Sequence, residues 1–133
     1  MKPDKFNFHK KIEALKKEKV DLPNDLAQSG QVYFQRNFNK QQWDGQAWKP
    51  RIKNKSRKPL LVQTGRLRQS LQNSIRSKSY NKIVWGNDVS YAKYLNFGTN
   101  KMVARQFMGI NKEFISLMKR KINLSFNKVM FAK

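Results

Sequence analysis

Apolar positions along the chain change their period several times, and each change marks a new element. Phe8, Ile12 and Leu15 stand four and three residues apart within 6–19, a spacing that predicts a helix with a narrow apolar stripe among lysines and glutamates. Leu22-Pro23-Asn24 predicts its end, because proline fixes its own φ and biases Leu22 away from the helical region, while Asn24 can cap a new helix. That second helix is expected from Asp25 to about Lys40, where Leu26, Gly30, Phe34 and Phe38 recur every four residues with Tyr33 beside them. Gly30 inside that stripe costs about 1 kcal/mol of helix propensity relative to alanine, which predicts another backbone packed close there.

Between Leu71 and Asn87 the period shortens to two. Leu71, Asn73, Ile75 and Ser77 alternate with their neighbours, and Ile83-Val84-Trp85 is a β-favouring run, so two strands are predicted. Ser79-Tyr80-Asn81-Lys82 fits the turn between them, with Asn81 the residue most tolerant of positive φ. Val89, Tyr91, Tyr94, Leu95 and Phe97 are too densely apolar for a surface loop and predict a short helix closed by Gly98. Residues 103–110 can return as a strand. Asn111 then caps a last helix, in which Phe114, Ile115, Met118, Ile122 and Phe126 keep the helical period, Lys119, Arg120 and Lys121 face outward, and Lys128 suits the helix dipole. These elements predict an α+β fold: a small antiparallel β-sheet packed by an N-terminal aromatic helix and a C-terminal amphipathic helix. No internal repeat interrupts the pattern.

Length and charge bound the possibilities. A chain of 133 residues suits a single domain with one core, expected over 1–133 with residues 1–21 as a helical N-terminal arm. The formal charge of +21, from 29 Lys and Arg against 8 Asp and Glu, exceeds what solubility needs and implies an acidic or polyanionic neighbour. No acidic residue lies between Gly45 and Asn87, where Lys49, Arg51, Lys53, Lys55, Arg57, Lys58, Arg66, Arg68, Arg76, Lys78 and Lys82 fall. Residues 49–59, bracketed by Pro50 and Pro59, read as a basic mobile loop. The run can serve as an electrostatic face for phosphate or simply stay solvated.

Chemistry narrows the picture further. The absence of cysteine removes disulfides and thiolate chemistry and leaves a zinc site nearly excluded. There is no apolar run near the ~20 residues a membrane span needs, and no signal-peptide pattern, so no membrane partner is expected. His9 is the one histidine and reads as a surface residue; the acids Asp4, Glu13, Glu18, Asp21, Asp25, Asp44, Asp88 and Glu113 are scattered, without the spacing of a two-carboxylate or metal site. No catalytic residue, metal ligand or cofactor is therefore assigned, and an enzyme is not expected. A basic surface interleaved with Trp43, Trp48, Tyr80 and Trp85 can offer phosphate contacts and stacking platforms, though aromatics at these spacings more often belong to a core. No zinc-finger, KH or P-loop pattern accompanies them.

Four segments carry something more specific. Trp48-Lys49-Pro50, then Leu61 to Leu71 centred on Thr64-Gly65-Arg66-Leu67, then Tyr91-Ala92 to Phe97-Gly98, then Ala104-Arg105-Gln106-Phe107-Met108-Gly109 come in an order that resembles the phage virion morphogenesis, or tail completion, family. The resemblance covers roughly residues 24–125. It implies a small α+β structural protein of a tailed bacteriophage or prophage that acts in tail completion and head–tail joining. It further implies a homo-oligomeric ring, tail-tube and connector proteins as partners, and a place in the tail or neck of the virion after assembly in the host cytoplasm. DNA threading such a ring would give the positive charge a purpose through non-specific contact. The chain departs from the family where prolines commonly flank the arginine of the Ala-Arg segment, since Val103 and Gln106 stand there.

Roles can be assigned by residue type. Trp48 and Pro50 can pin the basic loop to the body, and Gly65 and Gly98 are expected at positive φ. Thr64, Leu67, Tyr91, Ala92, Phe97 and Phe107 belong with them to the structural motif. Interaction or DNA-facing candidates are Lys49, Arg51, Lys53, Lys55, Arg57, Lys58, Arg66, Arg68 and Arg105, the arginines foremost because their planar fork binds carboxylate or phosphate in a way lysine cannot. For Arg105 a carboxylate within the chain is as good a partner as one across a subunit boundary. The alternative function is a small basic nucleic-acid-binding protein; a toxin-like or nuclease enzyme is a third reading.

Overall fold

A computed structural model describes residues 8–51, 60–61 and 65–131. The elements come in the order α1 (Phe8–Asn39), β1 (Gln42–Trp43), β2 (Gln46–Ala47), α2 (Arg66–Ser70), a 3-10 turn at Leu71–Asn73, β3 (Ile75–Ser79), β4 (Lys82–Trp85), α3 (Ala92–Phe97) and α4 (Lys112–Met130). This is the α+β architecture the periodicity predicts, with the sheet divided into two antiparallel hairpins, β1-β2 and β3-β4. The first seven residues of the expected N-terminal arm and most of the 49–59 loop lie outside the described residues.

The long helices form the frame. α1 runs for 32 residues straight through Pro23, so the break expected at Leu22-Pro23-Asn24 does not occur. Asn24 caps no new helix; its side-chain amide instead donates to the Val20 carbonyl at 3.2 Å. A proline in a helix interior costs about 3 kcal/mol, and here tertiary contacts on both sides of it hold the helix together. α4 supplies them by running antiparallel to α1. Lys11 Nζ donates to the Met130 carbonyl (2.7 Å), Ser125 Oγ to Glu18 Oε2 (2.6 Å), and Tyr33 Oη to Glu113 Oε2 (3.0 Å). Lys121 Nζ lies 3.6 Å from Asp25 Oδ1. The polar stitches recur at about two-turn intervals along the seam, which also explains how the expected N-terminal arm lies against the body.

Asn111 caps α4 as its sequence position predicts, its Oδ1 accepting from Phe114 N at 2.8 Å. The same amide bonds the Tyr33 hydroxyl, and burial pushes that phenol above its ordinary value of 10.0 despite the Asn111 bond. Above this point the aromatic face of α1 meets the start of α4: Phe34 and Phe114 stack with centroids 5.6 Å apart, and Trp85 stands edge-on to Phe114 at 5.4 Å. The core continues through Phe38, Trp48, Leu67, Leu71, Val89, Ala92 and Phe107.

Gly30 serves this packing in a way the sequence alone misassigns. What lies nearest is not a backbone but the Trp85 indole, and a Cβ at position 30 would lie 2.5 Å from Trp85 Cζ2. The ring is held there by its Nε1, which donates to the Ala27 carbonyl at 3.0 Å.

Three local expectations change. The alternation from Leu71 yields a 3-10 turn first, and β3 begins only at Ile75. Ser74, fully buried between them, gives both its backbone N and its Oγ to Gln31 Oε1 of α1 (3.1 and 3.2 Å), which ends the turn before the strand starts. The β3-β4 turn lies at Tyr80-Asn81 as expected, with Ser79 paired to Lys82, but Asn81 does not take positive φ. Ser79 Oγ instead bonds Asn81 Oδ1 and the Lys82 carbonyl. Residues 103–107 form no strand, because a side chain rather than a neighbouring strand satisfies the backbone at Phe107 and Met108.

Candidate functional site

Trp48, Leu67, Ala92 and Phe107, one from each of the four segments singled out in the sequence, belong to one buried cluster, in which Phe107 is 1% exposed and packs edge-on to Phe38 at 6.0 Å. α3 positions them. It is short, closes on Gly98 at φ 75°, and turns Ala92 and Asn96 inward. The buried Asn96 amide reads the passing chain as a strand would: Oδ1 accepts from Phe107 N (2.9 Å) and Met108 N (3.2 Å), and Nδ2 donates to the Met108 carbonyl (3.1 Å). One side chain thereby satisfies three backbone groups, of which the Met108 carbonyl also accepts from Gln106 Nε2 at 3.2 Å.

Trp48 ties the next segment to this one. Its ring is buried edge-on against Phe38 at 5.3 Å, and its Nε1 donates to the Gln106 carbonyl at 2.8 Å. Immediately beyond it, Arg105 spreads its guanidinium over the chain, Nε donating to the Lys49 carbonyl (2.9 Å) and Nη2 to the Pro50 carbonyl (3.2 Å). Arg105 is thus an intramolecular clamp, but on backbone carbonyls rather than on a carboxylate. It fixes the chain at Lys49 and Pro50, where the basic segment begins.

The segment's other end has its own clamp. Gln41, at φ 56°, accepts from Leu60 N at 2.6 Å through Oε1 and donates to the Leu60 carbonyl at 2.9 Å through Nε2. Its own carbonyl takes the Trp48 N–H at 2.8 Å. Nothing in the sequence singles out Gln41 or Asn96, because amides carry no periodic signal.

Lys49 and Pro50 are exposed and Arg51 half-buried at the start of this segment. Lys53, Lys55, Arg57, Lys58 and Thr64 lie outside the described residues. Arg66 and Arg68 sit on α2 on either side of Leu67, which is 2% exposed, so burial of the leucine turns both arginines outward. Gly65, at φ 77°, begins that helix, and Gly98 shares the positive φ, as their sequence positions predict. The structure therefore groups Arg105 with Lys49 and Pro50, and Arg66 with Arg68.

Aromatic residues divide by depth. Trp43, Trp48 and Trp85 all pack into or against the core, which leaves Tyr80, 67% exposed at the β3-β4 turn with Lys19 Nζ 4.4 Å from its ring centre, as the outward member of that set. Tyr91, Tyr94 and Phe97 stand exposed at α3, the short helix that their density predicts. Ala92 and Asn96 take the inward positions of that helix, and six residues cannot bury more than one face.

Among the described residues no group of three or more His, Asp or Glu is placed to hold a metal ion. Likewise no helix among them is long and apolar enough to cross a membrane. Comparison of the chain with protein-family models, with curated proteins and with solved structures gives no match.

Proposed function

We propose that this chain is an assembly subunit of a tailed bacteriophage or prophage, acting in tail completion and head–tail joining as a homo-oligomer. The observation that supports the reading is the convergence of the four resembling segments on one scaffold. Trp48, Leu67, Ala92, Asn96, Arg105 and Phe107 are spent on backbone clamps and packing, and clamps hold Lys49-Pro50 and Leu60, the described residues at either end of the basic segment. A subunit that must present one contact segment in a fixed place needs such a base. Tail-tube and connector proteins are the partners this reading names, and DNA passing through the ring would meet the basic residues.

Trp48 is buried and Trp43 and Trp85 pack against the core, which counts against a dedicated single-strand binder, because base stacking needs exposed rings. The two readings separate in solution. Mass photometry and sedimentation of the purified protein should show discrete oligomers that grow with concentration, and DNA binding without sequence preference. A strict monomer that binds short DNA tightly, with affinity falling by orders of magnitude between low and physiological salt, would overturn the assembly reading.

A further inference from the structure

Carboxylates stitch the α1-α4 seam at Glu18, Asp25 and Glu113. Between the last two a pocket of about 330 Å³ opens between the helices. Gln28, Val32 and Arg36 stand in one i,i+4 row on α1, and Leu117 and Lys121 in another on α4 with Arg120 beside them. Ser29 adds a hydroxyl to the lining.

The charged residues of this lining, Arg36, Arg120 and Lys121, are all cations. Three other pockets among the described residues each include a carboxylate, Glu18 in two and Asp88 in the third. Lys121 is shared with Asp25, which lies outside the lining, at 3.6 Å. The two arginines are exposed and enter no ion pair among the described residues. Their own helices offer none, because α1 carries no acid after Asp25 and α4 none after Glu113. The helix dipole accounts for Arg36, in the last turn of α1, but not for Arg120, in the middle of α4.

Two guanidiniums brought to one concavity repel each other, and an anion between them removes that cost. Arginine donates and never accepts, so the occupant must be rich in acceptors. A carboxylate would bring one charge to two arginines. A terminal phosphate, or neighbouring phosphates of a backbone, brings two and matches the planar forks as well.

We propose that the pocket between Gln28 and Arg36 of α1 and Leu117 and Lys121 of α4 binds phosphate, held by Arg36 and Arg120 with Lys121 in support. The site does not rest on the assembly reading above. Failure of the protein to form oligomers leaves it standing, and an empty pocket leaves the assembly reading standing.

Inorganic pyrophosphate is the probe, titrated into the full chain at about 0.15 M salt, where charges more than about 8 Å apart are largely screened. Two-dimensional proton–nitrogen NMR should show saturable shifts concentrated at the amides of Ser29, Val32 and Leu117. Changing Arg36→Gln together with Arg120→Gln should weaken binding at least about tenfold. Lys78→Gln with Lys101→Gln removes the same charge from exposed residues outside this pocket and should leave the affinity unchanged. Arg36→Lys with Arg120→Lys keeps the charge but loses the forks, and should weaken binding too. Circular dichroism checks that each variant keeps its helix content. A short DNA duplex that shifts the same amides and displaces pyrophosphate makes a nucleic-acid backbone the source of the phosphate; a duplex that leaves them unmoved makes a free phosphate compound the source. Shifts spread evenly over the chain, or equal losses in the two glutamine variants, overturn the proposal by showing that the cations act only collectively. So does a glutamate-rich peptide that shifts the same amides and binds more tightly than pyrophosphate, which would make the occupant a carboxylate.

Discussion

A methyl group at position 98 would meet Ala104 N at 2.8 Å and the Met102 carbonyl oxygen at 2.9 Å, on a backbone with φ 75° and ψ 174° that only glycine adopts readily. Gly65 has nearly the same φ, 77°, yet nothing among the described residues lies within 4 Å of where its Cβ would stand. The pair separates conformational strain from collision. Gly65→Ala should cost about 1–2 kcal/mol, the left-handed penalty alone. Gly98→Ala should cost about 3 kcal/mol or more, because the colliding atoms are backbone and cannot rotate away. Urea unfolding of the two variants measures the difference, and equal losses would mean that residues 102–104 yield to the added methyl. Both positive φ values are legible in the sequence, since glycine after Thr64 and after Phe97 marks turns. The collision at Gly98 is not, because Met102 and Ala104 are brought there by the backbone bonds between Thr99 and Met102 and by Arg105 N donating to the Leu95 carbonyl at 2.9 Å.

At the scale of elements, the α1-α4 seam depends on a carboxylate. The Ser125 hydroxyl, with help from Lys128 and against a smaller cost of burial, holds Glu18 below its ordinary value of 4.5. A carboxyl whose folded value is lowered contributes stability that is fully present above its unfolded value and is lost as pH falls through the folded one. Thermal midpoints of the native protein should therefore drop below about pH 4.5. Glu18→Gln should be less stable than the native protein at neutral pH and converge on it in acid. Parallel acid profiles for the two would show that the seam draws nothing from this charge. Element ends were legible wherever one residue decides them, as with the Asn111 cap and the Gly98 closure. Elements decided by partners were not: α1 survives Pro23 because α4 braces both halves, and residues 103–107 make no strand because an amide, Asn96, replaces one. The β1-β2 hairpin is a different miss. Asp44-Gly45 with φ of 52° and 75° matches the two-residue turn that such a pair favours, but strands of two residues leave no alternation to detect. The clamps at the candidate site divide in the same way, with Trp48 and Arg105 marked by residue type and Gln41 and Asn96 visible only in their bonds.

For the whole molecule, charge opposes the fold that the core stabilises. Glu13, Glu18, Asp25 and Asp88 each engage a cation, but eight acids in all stand against 29 Lys and Arg. Most cations therefore face one another through solvent, and the compact state concentrates them. Their repulsion reaches about 30 Å at 0.01 M salt and about 10 Å at 0.1 M. Sodium chloride over that range should accordingly raise the melting temperature. A linear polyanion such as polyphosphate should raise it further at equal ionic strength if it engages a localised basic face, by an amount equivalent to about 2.7 kcal/mol at a hundred times its dissociation constant. Differential scanning calorimetry in the two media distinguishes a general charge excess from a built face. A gain with salt and none beyond it with polyphosphate would mean that the cations act only collectively. A further gain that weakens when Arg66 and Arg68 are both changed to Gln would place the face on α2, where burial of Leu67 already turns both arginines toward solvent.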